Sequence, residues 1–74
     1  MTFEQAEEIA TRKAEQHGAT IDKVYKLGDA YVFDTKEECM GIFPLVIDKE
    51  GVRHGLWIYL QEHDLTMDDM VEVE

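Results

Sequence analysis

The N-terminal part of the chain places apolar side chains at helical spacing. Thr2 is a favourable N-cap, and Gln5, three residues later, can complete a capping box with it. Gly18 supplies a C-terminal stop signal. The pattern predicts a helix over Phe3–His17 that can pack closely on a sheet, because alanine dominates its apolar stripe. The residues of that stripe are Phe3, Ala6, Ile9, Ala10 and Ala14.

Two strands joined by a tight turn are expected after the helix. In Ile21–Leu27 the apolar and polar side chains alternate, with Val24 out of phase, which indicates a β-bulge. Gly28-Asp29 is suited to a two-residue hairpin turn, since glycine comes first. Ala30–Asp34 then predicts the second strand, and Thr35–Gly41 a polar loop.

The second half of the chain contains two denser apolar runs. Ile42–Asp48 predicts a third strand, and because Pro44 has no N–H to donate, we expect this strand at a sheet edge or beside a bulge. Asp48–Gly51 has the composition of a turn closed by glycine. Val52–Leu60 predicts a fourth strand, in which Leu56–Leu60 is the longest strictly apolar run.

The tail of the chain supports two interpretations. Thr66 with Asp69 can cap a short helix, whereas Val71–Glu74 alternates like a strand. We expect one helical turn followed by an extended end.

The order of these elements predicts a single small α+β domain over residues 1–74. The N-terminal helix would pack on a four-stranded antiparallel meander, with the short C-terminal helical turn or extended tail after it. A helix covers one face of a sheet, yet the third and fourth predicted strands are apolar on both faces. The second face must therefore be covered by a second subunit or by the apolar residues of the tail, which are Leu65, Met67, Met70 and Val71.

Charge narrows the range of partners. The chain of 74 residues has 17 Asp and Glu against 7 Lys and Arg, for a formal net charge of −10. Nucleic acids and anionic membranes both favour basic proteins, so we expect neither as a partner. Gln61–Glu74 contributes −6 of the charge, because it holds no Lys or Arg and the acids Glu62, Asp64, Asp68, Asp69, Glu72 and Glu74.

Cysteine usage and the N-terminal sequence favour the cytoplasm. Cys39 is the single cysteine and cannot form an internal disulfide, which suits a reducing compartment. Met1 leads into Thr2-Phe3-Glu4 with no basic and apolar signal segment. We therefore expect a cytoplasmic protein.

Residues that carry enzyme chemistry do not occur in familiar arrangements. The chain has no serine, and Cys39 follows Glu37 and Glu38, whose charges oppose thiolate formation. Neither the cysteine nor the histidines show the spacing of a zinc site, and the tail acids do not match a calcium loop. No glycine-rich phosphate-binding motif is present. We expect no catalytic residues, no metal and no cofactor.

Two groups of residues are candidates for a protein interface. Trp57 and Tyr59 share a face of the predicted fourth strand with Arg53, and these residue types are enriched in interfaces, although core packing is the alternative. The second group consists of the tail acids Asp64, Asp68 and Asp69. These acids can dock on a basic partner, and the alternative is that they only keep the tail solvated.

Residues 2–52 resemble two kinds of small domain. The features in question are the A-x-x-I-A of Ala6–Ala10, the aromatic strand in Asp29–Asp34 and the V-I-D-x-x-G turn in Pro44–Val52. They resemble small bacterial PepSY-like domains and are also similar to helix-plus-meander immunity proteins of toxin systems. PepSY-like domains are usually exported or membrane-tethered, so the lack of a signal favours the immunity-like or phage-type alternative. Both resemblances imply protein binding and bring no catalytic residues.

The sequence thus favours a non-enzymatic protein-interaction domain, binding either another protein with a basic surface or a second copy of itself as a homodimer. The alternative is an acidic immunity or anti-defence inhibitor that occupies the basic site of a nucleic-acid enzyme.

Overall fold

The computed structural model describes residues 2–37 and 44–73, which form an α+β fold with one antiparallel sheet. The elements in chain order are α1 (Phe3–Gln16), β1 (Ile21–Leu27), β2 (Ala30–Thr35), β3 (Leu45–Ile47), β4 (Arg53–Gly55), α2 (Leu56–Glu62), a 3₁₀ turn (Met67–Asp69) and β5 (Val71–Val73). The strands lie in the order β4-β3-β2-β1-β5. The expectations for Cys39, and for Ile42 and Phe43 at the start of the third strand, lie outside the described residues.

Helix α1 begins and packs as the sequence predicts. The Thr2 hydroxyl accepts from the Gln5 N–H at 3.2 Å, and the Thr2 N–H donates to Gln5 Oε1 at 2.9 Å, which completes the capping box. Ala6, Ala10 and Ala14 are fully buried against one face of the sheet. Because alanine side chains are short, the helix backbone can approach the strands closely, and the predicted packing is confirmed.

The hairpin of β1 and β2 has the expected two-residue turn and an irregular start. The pairing register shifts between Ile21 and Lys23, as at a β-bulge or a similar irregularity, and not at Val24, which pairs regularly with Phe33. Leu27 pairs with Ala30 across a two-residue turn, in which Gly28 has φ of 60°. A positive φ costs glycine little, and this explains its position at the turn.

Strands β2 and β3 bury side chains on both faces of the sheet. Phe33 and Ile47 belong to the cluster beneath α1, whereas Val32 and Val46 belong to a second cluster on the opposite face. These residues alternate along each strand, as the two-residue period of a β-strand requires. The central part of the sheet is therefore a layer between two apolar clusters.

The predicted fourth strand over Val52–Leu60 is confirmed only at Arg53–Gly55 and is wrong beyond it. Strand β4 ends at Gly55, and the chain continues as α2, which buries Leu56, Tyr59 and Leu60 against Val46 and the rest of the second cluster. These three positions have the i, i+3, i+4 spacing of a helix face. A short apolar run is compatible with either element, and here the uncovered sheet face selects the helix.

The tail completes the cover and adds a strand to the sheet. Leu65 and Met70 pack against the second cluster, while Met67 and Val71 are exposed. Strand β5 pairs antiparallel with β1, with Val73 opposite Val24. The sheet therefore has five strands within the described residues and not the four-stranded meander that the sequence predicts.

Across residues 2–37 and 44–73, no helix combines the length and the apolar character needed to cross a membrane.

Both α-helices end in the same hydrogen-bond pattern. After α1, the Ala19 N–H donates to the Ala14 carbonyl at 2.8 Å, and Gly18 has φ of 66°. After α2, the Leu65 N–H donates to the Leu60 carbonyl at 2.8 Å, and Asp64 has φ of 54°. Each end is a Schellman motif, which needs a left-handed residue just beyond the helix. Glycine fills that position after α1, and aspartate fills it after α2.

Asp64→Gly should therefore stabilise the fold. The left-handed conformation costs a residue with a Cβ about 1–2 kcal/mol, and an acid at a helix C-terminus also opposes the helix dipole. We expect the free energy of unfolding, measured by urea denaturation, to rise by about 0.5–1 kcal/mol. Gly18→Asp is the matched control at the other helix and should lower it by a similar amount. A loss of stability in Asp64→Gly would show that the carboxylate has a stabilising contact.

Candidate functional site

The structure separates the residues that the sequence places on one strand face. The side chain of Trp57 is 66% exposed and that of Tyr59 only 7%. In a helix, residues two positions apart lie about 200° apart around the axis, whereas in a strand they share a face. Arg53 is exposed on β4, which is an edge strand. The predicted shared face of Arg53, Trp57 and Tyr59 is therefore wrong, because α2 replaces the strand.

The three tail acids have different local roles. Asp64 holds the left-handed position after α2, and Asp69 accepts a hydrogen bond from the Thr66 N–H at 2.8 Å. That bond belongs to the capping box of the 3₁₀ turn. Asp68 lies in the same turn, and all three residues are exposed. Asp69 thus stabilises the 3₁₀ turn, and all three acids leave negative charge at the surface.

Helix α2 turns an apolar surface toward solvent. Ile58, beside Trp57, is 62% exposed. One helical turn later, Gln61 and Glu62 continue the same side of the helix and are also exposed. We call Trp57, Ile58, Gln61 and Glu62 the outer face of α2. It combines two large apolar side chains with a polar border.

A cleft of about 440 Å³ opens at one end of the sheet. It lies between the Gly28-Asp29 turn, the turn at Asp48–Glu50 and the C-terminal end of α2, and we call it the turn cleft. Leu27 and Leu65 form its apolar part. Its polar part consists of Asp29, Asp48, Lys49, Glu50, Tyr59 and His63.

Asp48 organises the turn between β3 and β4. Its Oδ1 accepts from the N–H groups of Glu50 at 2.8 Å and Val52 at 2.9 Å. Its Oδ2 lies 2.8 Å from Nε2 of His54, and both side chains are at least three-quarters buried. A carboxylate has no proton to give, so the His54 N–H is the donor. One side chain thus fixes the turn and attaches it to β4.

The charge state of Asp48 follows from these contacts. Partial burial by itself raises the pKa of a carboxyl, because it removes water from the charged form. The hydrogen bonds from His54 and from the Val52 and Glu50 N–H groups outweigh the burial, and the pKa of Asp48 lies below its ordinary value of 3.8. Asp48 is therefore ionised at neutral pH.

Tyr59 connects this turn to α2. Its ring packs against two imidazoles, with centroids 5.2 Å from His54 and 4.2 Å from His63. Burial raises the pKa of the Tyr59 hydroxyl, and the negative charges of Asp48 and Asp29 raise it further. Among the described residues, no group forms a hydrogen bond with this hydroxyl.

The histidines and acids of this region do not assemble a metal site. Within the part of the chain that the structure describes, no group of three His, Cys, Asp or Glu side chains has the arrangement to hold a metal ion. The imidazoles instead pack against Tyr59, and the Asp48 oxygens are used by the turn.

Sequence reasoning missed the turn cleft, although two signals for it exist. An aspartate that begins a turn often accepts hydrogen bonds from N–H groups further along it, which explains Asp48. The helical spacing of Leu56, Tyr59 and Leu60 indicates which α2 side chains face the sheet. Their convergence depends on the two hairpin turns lying at the same end of the sheet, which is a property of the topology.

Comparisons with protein-family models, with curated proteins and with solved structures found no match to this chain. The site is therefore interpreted from its own residues.

Asp48→Asn should make the stability less dependent on acid pH. Because the folded pKa lies below the unfolded value of 3.8, the carboxylate stabilises the fold above that pH and loses its effect as pH falls through the folded pKa. We expect the variant to lose about 1 kcal/mol of unfolding free energy at pH 6. The difference from the parent should shrink as the pH falls below 3.8.

Urea denaturation at pH 6 and at a pH below 3.8 measures the difference in unfolding free energy between Asp48→Asn and the parent. Asp68→Asn is the control for removing an exposed charge and should change the unfolding free energy by less than about 0.5 kcal/mol. A difference between Asp48→Asn and the parent that stays constant with pH would contradict the assigned role.

Proposed function

We propose that this protein is a non-enzymatic domain that binds another protein through the outer face of α2, and that the partner presents a basic surface. The observation that carries the proposal is the exposure of Trp57 and Ile58 side by side on a helix whose other side is buried in the core. The other elements of the described chain leave no aromatic side chain as exposed as Trp57.

Exposed tryptophan is unusual enough to need a reason. Tryptophan has a large apolar area and is among the residues most enriched at the energetic centres of protein interfaces. A polar border around an apolar centre is also the usual anatomy of such interfaces. The outer face of α2 has this composition, with Gln61 and Glu62 beside the two apolar side chains.

Charge favours a basic partner over a second copy. Two copies would each carry a net charge of −10 and would repel one another. Glu62, which belongs to the outer face of α2, and Asp64, two residues later in the chain, are exposed and are available to a cationic partner. A basic surface therefore complements this end of the molecule, whereas a homodimer must bring like charges together.

A narrower form of the same function is an acidic inhibitor that occupies the basic site of a nucleic-acid enzyme. It is favoured by the exposure of Asp64, Asp68 and Glu72, which leaves most of the negative charge of the tail at the surface. Competition decides between the two forms: duplex DNA or RNA should displace the protein only from a partner whose nucleic-acid site it occupies.

Trp57→Ala should weaken binding of the partner without unfolding the protein. A partner captured from the native host with the full chain is first purified, and its affinity for the parent and the variant is then measured by calorimetry. We expect at least a tenfold loss of affinity, about 1.4 kcal/mol or more. The unfolding free energy should change by less than about 0.5 kcal/mol, since the side chain is mostly exposed.

Val71→Ala is the matched control, because Val71 is as exposed as Trp57 but lies on β5, at the opposite edge of the sheet from β4. It should leave the affinity unchanged.

Salt provides a second test of the basic partner. The association rate of the parent protein with its partner should fall as added salt screens the charges. A partner that binds Trp57→Ala as tightly as the parent would overturn the proposal. A dimer in sedimentation experiments that dissociates in Trp57→Ala would replace the basic partner with a second copy.

A further inference from the structure

We propose that Met70 is a reversible oxidation site, and that conversion of its thioether to a sulfoxide by hydrogen peroxide releases the end of the chain from the sheet. We call residues 65–73 the tail segment. The proposal concerns how this segment is held in place, and it does not depend on a partner at the outer face of α2.

The tail segment is attached to the rest of the fold by few contacts. Among the described residues, Leu65 and Met70 are its two side chains that pack against the second cluster. Strand β5 pairs with β1 over three residues at the edge of the sheet, and Val71 within it is exposed. So short an edge strand needs side-chain packing to stay paired. Met70 immediately precedes β5 and supplies that packing.

A cavity of about 170 Å³ lies beside Met70 and gives a small oxidant access to it. A water molecule occupies about 30 Å³ in the liquid, and hydrogen peroxide is only slightly larger, so the cavity can admit it. Met67 lines the same cavity and is 50% exposed, which shows that the cavity reaches the surface. The other lining residues are Tyr25, Val32, Asp34, Pro44 and Leu56.

The chemistry requires only the thioether and the peroxide. A lone pair of the sulfur forms a bond to one peroxide oxygen, the O–O bond breaks, and the second oxygen leaves as water with both protons. The sulfur loses two electrons and the peroxide gains two. Methionine sulfoxide is reduced again by methionine sulfoxide reductases, so the change is reversible.

The packing of Met70 makes its sulfoxide incompatible with the closed tail segment. Oxidation turns a flexible apolar side chain into a polar one. The second cluster is built from apolar side chains, and a polar group buried there without hydrogen bonds is costly. Asp34 accepts hydrogen bonds and cannot donate one to the new oxygen when it is ionised. The Tyr25 hydroxyl is the one side-chain donor among the lining residues, whereas water satisfies the oxygen fully once the segment leaves the sheet.

Met67 provides a control within the same turn of the chain. It lines the same cavity three residues earlier, but half of its surface is already in water. Its sulfoxide oxygen can therefore be hydrated without any movement of the chain. Oxidation of Met67 should leave β5 in place, and oxidation of Met70 should release it.

The test treats the full chain with hydrogen peroxide and locates each sulfoxide by peptide mass spectrometry. NMR then measures the nuclear Overhauser contacts between Val24 and Val73, which pair across β1 and β5. We expect these contacts to disappear in protein oxidised at Met70, while the contacts between β1 and β2 remain. Treatment with methionine sulfoxide reductases of both stereochemical types and a dithiol should restore them.

Four variants assign the effect to one sulfur atom. Met70→Leu keeps an apolar side chain of similar volume and should retain the contacts between β1 and β5 in peroxide. Met67→Leu should lose them as the parent does. Met70→Gln introduces a polar side chain and should lose them without peroxide, whereas Met67→Gln should keep them. Each variant differs from the parent at one position, so oxidation elsewhere in the chain affects the compared proteins equally.

Contacts between β1 and β5 that persist when Met70 is oxidised would overturn the proposal. The same holds if Met70 stays reduced after Met67 is fully oxidised, or if Met70→Leu loses the contacts in peroxide. Loss of the contacts between β1 and β2 as well would show unfolding of the whole domain and would also overturn it. If Met70→Gln does not fold, the comparison of the parent with Met70→Leu in peroxide still decides the outcome.

Discussion

The apolar residues on both faces of β2 and β3 constrain the rest of the molecule. Phe33 and Ile47 on one face, and Val32 and Val46 on the other, would expose a large apolar area if either face were open. Helix α1 covers the first face with a row of alanines. The second face requires another cover, and within residues 2–37 and 44–73 the segment after β4 provides it. This requirement explains why the strand ends at Gly55 and why α2 begins at the next residue.

The packing of α2 on the second face of the sheet determines where the candidate site lies. To bury Leu56, Tyr59 and Leu60, α2 must lie across the sheet, and its C-terminal end then comes near the two hairpin turns. The Asp48 carboxylate and the Tyr59 ring meet there through His54. The same orientation leaves Trp57 and Ile58 in solvent. The turn cleft and the outer face of α2 are thus two results of one packing interaction.

Electrostatics and strand length act against unwanted association. The net charge of −10 disfavours contact between copies. The edge strands β4 and β5 have three residues each, which offers little backbone for another strand to pair with. In that setting the exposed Trp57 is less of a hazard for self-association, and this agrees with the partner of opposite charge that we propose.

The sequence by itself determined the elements whose signals are local. The capping box of Thr2 and Gln5 and the stop at Gly18 define α1, and Gly28-Asp29 defines the first hairpin, because each depends only on nearby residues. The run from Leu56 to Leu60 fits a strand or a helix equally well, and the choice was made by the sheet face that it buries. The exposure of Trp57, the burial of Tyr59 and the turn cleft follow from that choice. Only the tertiary structure decided them, because they depend on contacts between residues far apart in the chain.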